Sequence, residues 1–127
     1  MAAPKSKDRL TPLELELMNV LWDIGPAPVA AVRERLAATR ELAYTSVQTM
    51  LNILVRKGKL KRVLVDRAYH YRPAVTRRKA VGHAVRELVQ RAFGGSAEAL
   101  VMTLVESKQL SPEALERLRK IVEEQDE

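Results

Sequence analysis

The chain has 127 residues, of which 46% are hydrophobic and only 4% aromatic. This length suits one domain, or a small domain with an appendage, whose core must be filled by Leu, Val and Ala. The sequence contains no cysteine, which excludes disulfides, thiolate metal sites and cysteine redox sensing. Its two histidines, His70 and His83, lack a metal-ligand spacing, so we expect neither a metal nor a cofactor.

The sequence also contains no sign of a membrane location. No apolar run reaches the ~18 residues of a membrane span. Residues 1–8 lack the apolar core of a signal peptide, and residues 1–10 are predicted to be a flexible basic leader. We therefore expect a cytoplasmic protein that does not insert into a membrane.

Positive charge is distributed unevenly along the chain. Residues 1–75 carry 13 Lys and Arg against 7 Asp and Glu, whereas residues 76–127 carry 9 of each, so the net charge of +6 lies entirely in the first part. A localised basic excess indicates a polyanionic partner. We rank a membrane surface below DNA because no basic amphipathic helix of the membrane-binding type is present.

The first part of the chain predicts three helices. Residues 11–14 read Thr-Pro-Leu-Glu, with Thr11 as N-cap and Glu14 closing a capping box. Gly25 and Pro26 end this helix, and residues 27–29 predict a short extended piece, a candidate third strand. The second helix is predicted over about residues 30–38. We expect the first helix to bury Leu15, Met18, Leu21, Trp22 and part of Val20.

The third helix, predicted over residues 44–57, has one apolar and one polar side. Val47, Met50, Leu51 and Leu54 form an apolar stripe at 100° per residue, and Gly58 supplies a helix stop. The opposite side has short hydrogen-bonding groups and one arginine, with no acidic group, which suits the base edges and phosphates of a DNA groove. The candidate DNA-binding residues of this helix are Thr45, Ser46, Gln48, Thr49, Asn52 and Arg56.

A basic hairpin follows the third helix. The pattern predicts a strand over residues 60–65, a turn over 66–68 and a returning strand that ends at Pro73. Tyr69 and Tyr71 share one face and are expected to pack under the sheet. Helices followed by such a hairpin are typical of a winged helix-turn-helix; the alternative is an amphipathic helix packed beside a hairpin for structural reasons only. The candidate DNA contacts of the wing are Arg62, Arg67 and Arg72.

Three more helices are predicted after Pro73. The first, residues 76–93, is expected to bury Val81, Val85, Leu88 and Val89, and the next two begin at the N-caps Ser96 and Ser111. So few residues cannot bury their apolar faces alone. A second copy of the chain is the economical solution, and packing against the winged helix is the alternative. The expected dimerisation residues are Leu88, Leu100, Leu104, Leu115, Leu118 and Ile121.

These patterns predict a mainly α fold with two domains. Residues 1–75 form a winged helix-turn-helix DNA-binding domain with a small β-hairpin wing, and residues 76–127 form a three-helix dimerisation region. The sequence has no Ser/His/Asp ordering, no G-x-S-x-G motif, no phosphate loop and no carboxylate cluster, so we predict no enzymatic activity and no catalytic residue. Two functions remain open: a DNA-binding transcriptional regulator, and a helical interaction module whose basic face meets an acidic protein.

The chain resembles the penicillinase repressor family (BlaI/MecI type) along almost its whole length. The resemblance rests on residues 11–14, on the run Ala-Tyr-Thr-Ser-Val-Gln-Thr-Met-Leu at 43–51, on Lys57-Gly58 and on Tyr-His-Tyr-Arg-Pro at 69–73. It implies a homodimeric repressor on a palindromic double-stranded DNA operator, dimerised through its C-terminal helices. The family's DNA contacts carry over to Thr45, Ser46, Gln48 and Thr49.

The resemblance also implies a proteolytic switch. Members of the family are switched off by a cut in the dimerisation region after a membrane sensor protease detects a β-lactam. The family's cut separates Asn from Phe in a Leu-Val-x-Asn-Phe-Val-Glu segment. The corresponding bond here joins Thr103 to Leu104, and neither cut-site residue is kept. The cysteine pairs of the copper-responsive branch are absent, which excludes that branch.

Overall fold

The computed structural model describes residues 9–125. Within this range the fold is mainly α with one β-hairpin, which confirms the prediction. The chain divides into two compact units between Ala84 and Val85, inside the fourth helix. The boundary predicted at residue 75, between a DNA-binding domain and a dimerisation region, stays a prediction. In chain order the elements are α1 (Pro12–Ile24), α2 (Val29–Leu36), α3 (Tyr44–Arg56), β1 (Leu60–Val65), β2 (Ala68–Pro73), α4 (Arg77–Phe93), α5 (Ala97–Glu106) and α6 (Pro112–Gln125).

Helix α1 begins at the predicted capping box. The Glu14 amide donates to Thr11 Oγ1 over 3.1 Å, and the Thr11 amide donates to Glu14 Oε1 over 2.8 Å. The predicted set of buried residues in α1 was partly wrong. Leu15 and Trp22 are only half-buried, and Leu17 is fully buried in their place. The stripe that meets the core continues from Glu14 at helical spacing, which leaves Leu15 and Trp22 at its edges.

The first unit has its own hydrophobic core. Helices α1, α2 and α3 pack together over the base of the hairpin. A single β-bridge between Ala27 and Tyr71 ties the α1–α2 connection to β2, as the predicted extended piece suggested. This packing fixes the position of the hairpin beside α3. The fully buried core side chains are Leu17, Met18, Leu21, Val32, Val47, Leu51, Leu54, Leu60 and Tyr71.

The hairpin closes with a two-residue turn. Asp66 and Arg67 have φ values of +47° and +71°, and Ala68, which was predicted in the turn, lies in β2 and pairs with Val65. Both positions of such a turn need the left-handed region, which Gly and Asn prefer. Tyr71 is buried at the base of the hairpin as predicted. Tyr69 is 45% exposed, because it lies nearer the tip, beyond the reach of the core.

Helices α4, α5 and α6 leave much of their apolar faces uncovered in the single chain. The first half of α4 belongs to the first unit, and the rest of these helices forms the second unit. Ser96 Oγ caps α5 through the Ala99 amide, and Ser111 Oγ caps α6 through the Ala114 amide, as predicted. Within the described residues, α4, α5 and α6 contain no buried side chain. The predicted burial of Val81, Val85 and Leu88 is therefore wrong for one chain alone, and Val89 is only half-buried. No helix within residues 9–125 combines the length and apolarity needed to cross a bilayer.

Candidate nucleic-acid interface

Helix α3 separates a buried apolar stripe from an exposed polar face. Val47, Leu51 and Leu54 are fully buried and Met50 is half-buried, as the periodicity predicts. The candidate residues on the other side lie in solvent, so their hydrogen-bonding groups are accessible to a DNA groove. The exposed members of this face are Thr45, Ser46, Gln48, Thr49 and Arg56.

The N-terminal end of α3 lacks the caps found elsewhere in the chain. Its N-cap is Ala43, which has no side-chain oxygen, and its first turn contains no acidic residue. In helices α1 and α5, in contrast, a first-turn backbone amide donates to the side-chain oxygen of Thr11 or Ser96. Helix α2, like α3, has no side-chain cap. The first amides of a helix carry partial positive charge and point out of its end. This end of α3 is therefore suited to an anionic group.

Asn52 differs from the other candidates on α3. It is half-buried, and its side-chain oxygen accepts two hydrogen bonds from the wing. Arg62 Nη1 donates to Asn52 Oδ1 over 2.8 Å, and the Tyr71 hydroxyl donates to the same oxygen over 2.9 Å. The structure thus brings a candidate of the helix together with a candidate of the wing.

The three wing arginines do not share one face. Arg62 lies opposite Tyr71 in the ladder, on the face turned to α3, and its guanidinium stacks over the Tyr69 ring at 4.3 Å from the centroid. Arg67 lies in the turn. Arg72 pairs with Lys61, so it lies on the other face because side chains alternate along a strand. All three arginines are exposed.

A buried ion pair fixes the C-terminal end of α3 against α1. Glu14 is 4% exposed, and Lys57 Nζ donates to its Oε1 over 2.8 Å and to the Arg9 carbonyl over 3.2 Å. Burial raises the pKa of Glu14, but hydrogen bonds from Lys57 and Thr11 outweigh that effect, so its pKa is lowered from 4.5. From its position in the sequence, Lys57 was predicted only as the last residue of the third helix. The partners are 43 positions apart in the sequence, so no local signal indicates the pair.

Three of the six expected dimerisation residues are exposed in the single chain, and the other three are partly covered. Leu88, Leu118 and Ile121 are 41–49% exposed. Leu100, Leu104 and Leu115 are half-buried in the single chain. Across residues 9–125 no group of His, Cys, Asp and Glu is arranged to hold a metal ion.

The geometry of the first unit defines a class of protein. Three helices support a basic hairpin, and the third helix presents an exposed polar face beside it. This is the arrangement of a winged-helix DNA-binding protein.

Comparison with known proteins gives the family. The sequence profile of the penicillinase repressor family matches residues 10–124. The transcriptional regulator BlaI of Mycobacterium tuberculosis is 39% identical over 100 residues, which cover 77% of this chain and 72% of that protein. The penicillinase repressor of Bacillus licheniformis is 28% identical over 120 residues, or 94% of each chain.

A solved structure agrees with this relationship. The solution structure of the DNA-binding domain of the repressor BlaI superposes with a TM-score of 0.50 at 28% identity, covering 55% of this chain and 85% of that one. The chain belongs to the penicillinase repressor family and is a DNA-binding transcriptional repressor. Membership in this family favours the regulator over the acidic-partner module that the sequence left open.

Proposed function

We propose that this repressor acts in the cytoplasm as a homodimer on a palindromic operator and has no enzymatic activity. The observation that carries the proposal is the exposed polar face of α3 beside a basic wing, joined to helices with uncovered apolar faces. In a dimer of this kind two reading helices meet half-sites separated by about 34 Å or a multiple of it.

The reading surface divides into two kinds of contact. Thr45, Ser46, Gln48 and Thr49 lie in the first half of α3, the end from which helix-turn-helix proteins reach base edges. The arginines are suited to phosphates, which position the protein without reading sequence. Their proposed members are Arg56, Arg62, Arg67 and Arg72. Asn52 belongs to the same surface, but its oxygen is already engaged by Arg62 and Tyr71.

The dimer is supported by the apolar faces that one chain leaves uncovered. Large exposed apolar patches are rare on monomers and mark interaction sites. Each uncovered face consists of residues at helical spacing, which suits packing against another helix. The proposed interface residues are Leu88, Leu100, Leu104, Leu115, Leu118 and Ile121.

Relief of repression by proteolysis is a further part of the proposal. The bond between Thr103 and Leu104 lies inside α5, and the Thr103 carbonyl accepts hydrogen bonds from the Ser107 amide and hydroxyl over 2.9 Å and 2.8 Å. A membrane sensor protease responding to a β-lactam would have to unwind this turn before cutting. The cut would remove α6 from the interface and dissociate the dimer without touching a reading residue.

Replacing Gln48 by Ala should reduce binding to the cognate site. We expect a loss of about 1–3 kcal/mol on a duplex selected from a random pool, and a much smaller loss on random duplex, because base contacts carry the sequence preference. Titration of both duplexes by fluorescence anisotropy measures the difference. Gln90→Ala, an exposed glutamine of α4, is the matched control and should change neither affinity. Equal losses on both duplexes would show that Gln48 does not read sequence.

Replacing Arg67 by Gly should raise stability and weaken DNA binding together. A non-glycine residue with φ of +71° is strained by about 1–2 kcal/mol, part of which glycine relieves. Loss of one phosphate contact in each chain should weaken binding to all duplexes alike and reduce the salt slope of the dimer by about two. Thermal unfolding and salt titrations measure these effects.

Lys108→Gly is the matched control for Arg67→Gly, because Lys108 is also exposed and has a φ of +60°. It removes one positive charge outside the proposed reading surface. We expect the same direction of stability change and an unchanged salt slope. An unchanged slope in Arg67→Gly as well would remove the wing tip from the DNA interface.

A further inference from the structure

The side chain of Asn52 links the reading helix to the wing. Its single oxygen accepts from Tyr71 and Arg62 over 2.9 Å and 2.8 Å. A carboxamide oxygen has two lone pairs, and these two donors occupy both. The oxygen of Asn52 is therefore unavailable to a DNA base while the wing keeps this position.

The two donors to Asn52 have different surroundings. Tyr71 is 1% exposed, so its hydroxyl needs the partner that Asn52 supplies. Arg62 is exposed, yet one end of its guanidinium is hydrogen-bonded to Asn52. Its Cζ also stacks on the Tyr69 ring, 4.3 Å from the ring centroid. A guanidinium has five N–H donors, so one bond to Asn52 leaves others for a phosphate.

The contacts with Asn52 and Tyr69 restrict the side-chain conformations of Arg62 in the free protein. Arg62 therefore loses less conformational entropy when DNA binds. A long exposed arginine samples many rotamers, and fixing such a side chain at an interface costs about 0.5–1.5 kcal/mol. The hydrogen bond to Asn52 and the stacking on Tyr69 fix the guanidinium before DNA arrives. The gain in affinity would then depend on Asn52, although Asn52 need not touch the DNA.

We propose that Asn52 is a positioning residue. It strengthens DNA binding by holding Arg62 in an orientation in which the remaining N–H groups of its guanidinium can contact a phosphate. The inference rests on the proposed function, since it requires Arg62 to contact the DNA backbone. Two other roles for Asn52 make different predictions: direct contact with DNA, and support of the hairpin as a whole through Tyr71.

A double-mutant cycle on the full-length chain separates these roles. The variants are Asn52→Ala, Arg62→Ala and the pair together, and the probe is a random-sequence duplex about three helical turns long. We expect Asn52→Ala to weaken binding about 3–10-fold in the wild-type background, the range of one lost hydrogen bond. In the Arg62→Ala background the same change should weaken binding less than about 2-fold, because residues that act through one another are not additive.

Arg56→Ala is the matched control for the cycle. Arg56 lies one turn from Asn52 on the same helix, is exposed and is a proposed phosphate contact. Its loss should weaken binding by the same factor with and without Arg62. The Asn52→Ala/Tyr71→Phe variant guards against misfolding, because it removes the hydroxyl that Asn52→Ala alone would leave without its acceptor. This double variant should have a melting temperature closer to that of the wild type than Asn52→Ala has. Its loss of DNA affinity should depend on Arg62 in the same way as the loss in Asn52→Ala.

The outcomes separate this inference from the proposed function. Equal losses on Asn52→Ala in both backgrounds would overturn the inference, because Asn52 would then act independently of Arg62. An Arg62→Ala variant that binds as tightly as the wild type would overturn it too. A wild-type chain that fails to bind the duplex at low salt would instead overturn the proposed function itself.

Discussion

A chain that ends at Ala84 is expected to fold as a monomer and to bind a two-half-site duplex about 10²–10⁴-fold more weakly than the whole chain. The first unit keeps its complete core, and it also keeps the ion pair of Arg77 with Asp23 at 2.8 Å. A chain ending at Val75 would lose that pair. The truncated chain lacks the proposed interface, so it loses the linkage between two reading helices. Sedimentation and duplex titration together measure both effects.

A point variant tests the same interface in the full-length chain. Leu118→Glu places a charge on the uncovered apolar face of α6 and should yield a monomer. Lys120→Glu adds the same residue on the polar side of α6 and is the matched control, which should remain dimeric. A full-length wild-type chain that sediments as a monomer at micromolar concentration would contradict the dimer. Binding by the truncated chain as tight as by the whole chain would contradict it as well.

Replacing Lys57 by Met should lower the free energy of unfolding of the first unit by about 3–5 kcal/mol. The side chains of Glu14 and Lys57 are only 6% and 20% exposed, so the change leaves a buried carboxylate without its cation. Urea unfolding followed by circular dichroism measures the loss. Arg40→Met is the matched control, because it breaks an exposed pair with Glu16 and should cost at most about 1 kcal/mol.

The stability difference between Lys57→Met and the wild type should depend on pH. The folded-state pKa of Glu14 is lowered, so the stability it contributes is present above about pH 4.5 and is lost as pH falls through the folded-state pKa. Without Lys57, burial raises the folded-state pKa of Glu14 in the variant relative to the wild type. The difference in stability should therefore be largest near pH 7 and should narrow as pH falls from the folded-state pKa of the variant to the lower folded-state pKa of the wild type. A difference independent of pH would show that Lys57 acts through packing alone.

Local sequence signals predicted the elements that position the interface. The capping box of Thr11 and Glu14, the apolar stripe of α3 and the basic hairpin depend on residues a few positions apart. The spacing of hydrophobic residues and the presence of turn-forming residues indicate such short-range structure directly. The exposed polar face of α3 followed because the stripe fixes which side of the helix meets the core.

The contacts that define the site in detail had no such signal. Glu14 meets Lys57 across 43 residues, and Asn52 meets Tyr71 across 19, so both pairs form only after the helices pack. The alternation of Tyr69 and Tyr71 placed them on one face but did not show where the core ends. For α4, periodicity identified an apolar stripe with Leu88 in it, yet it could not say which surface covers that stripe.

Selection of binding sites from a random duplex pool by the full-length chain distinguishes a dimeric, sequence-reading repressor from the alternatives. Such a repressor should enrich an inverted repeat whose half-sites lie whole helical turns apart, about 34 Å or a multiple of it. Two chains should occupy each selected duplex. A pool that retains no common sequence, or that yields a single half-site bound by one chain, would contradict a dimeric repressor that reads DNA with α3.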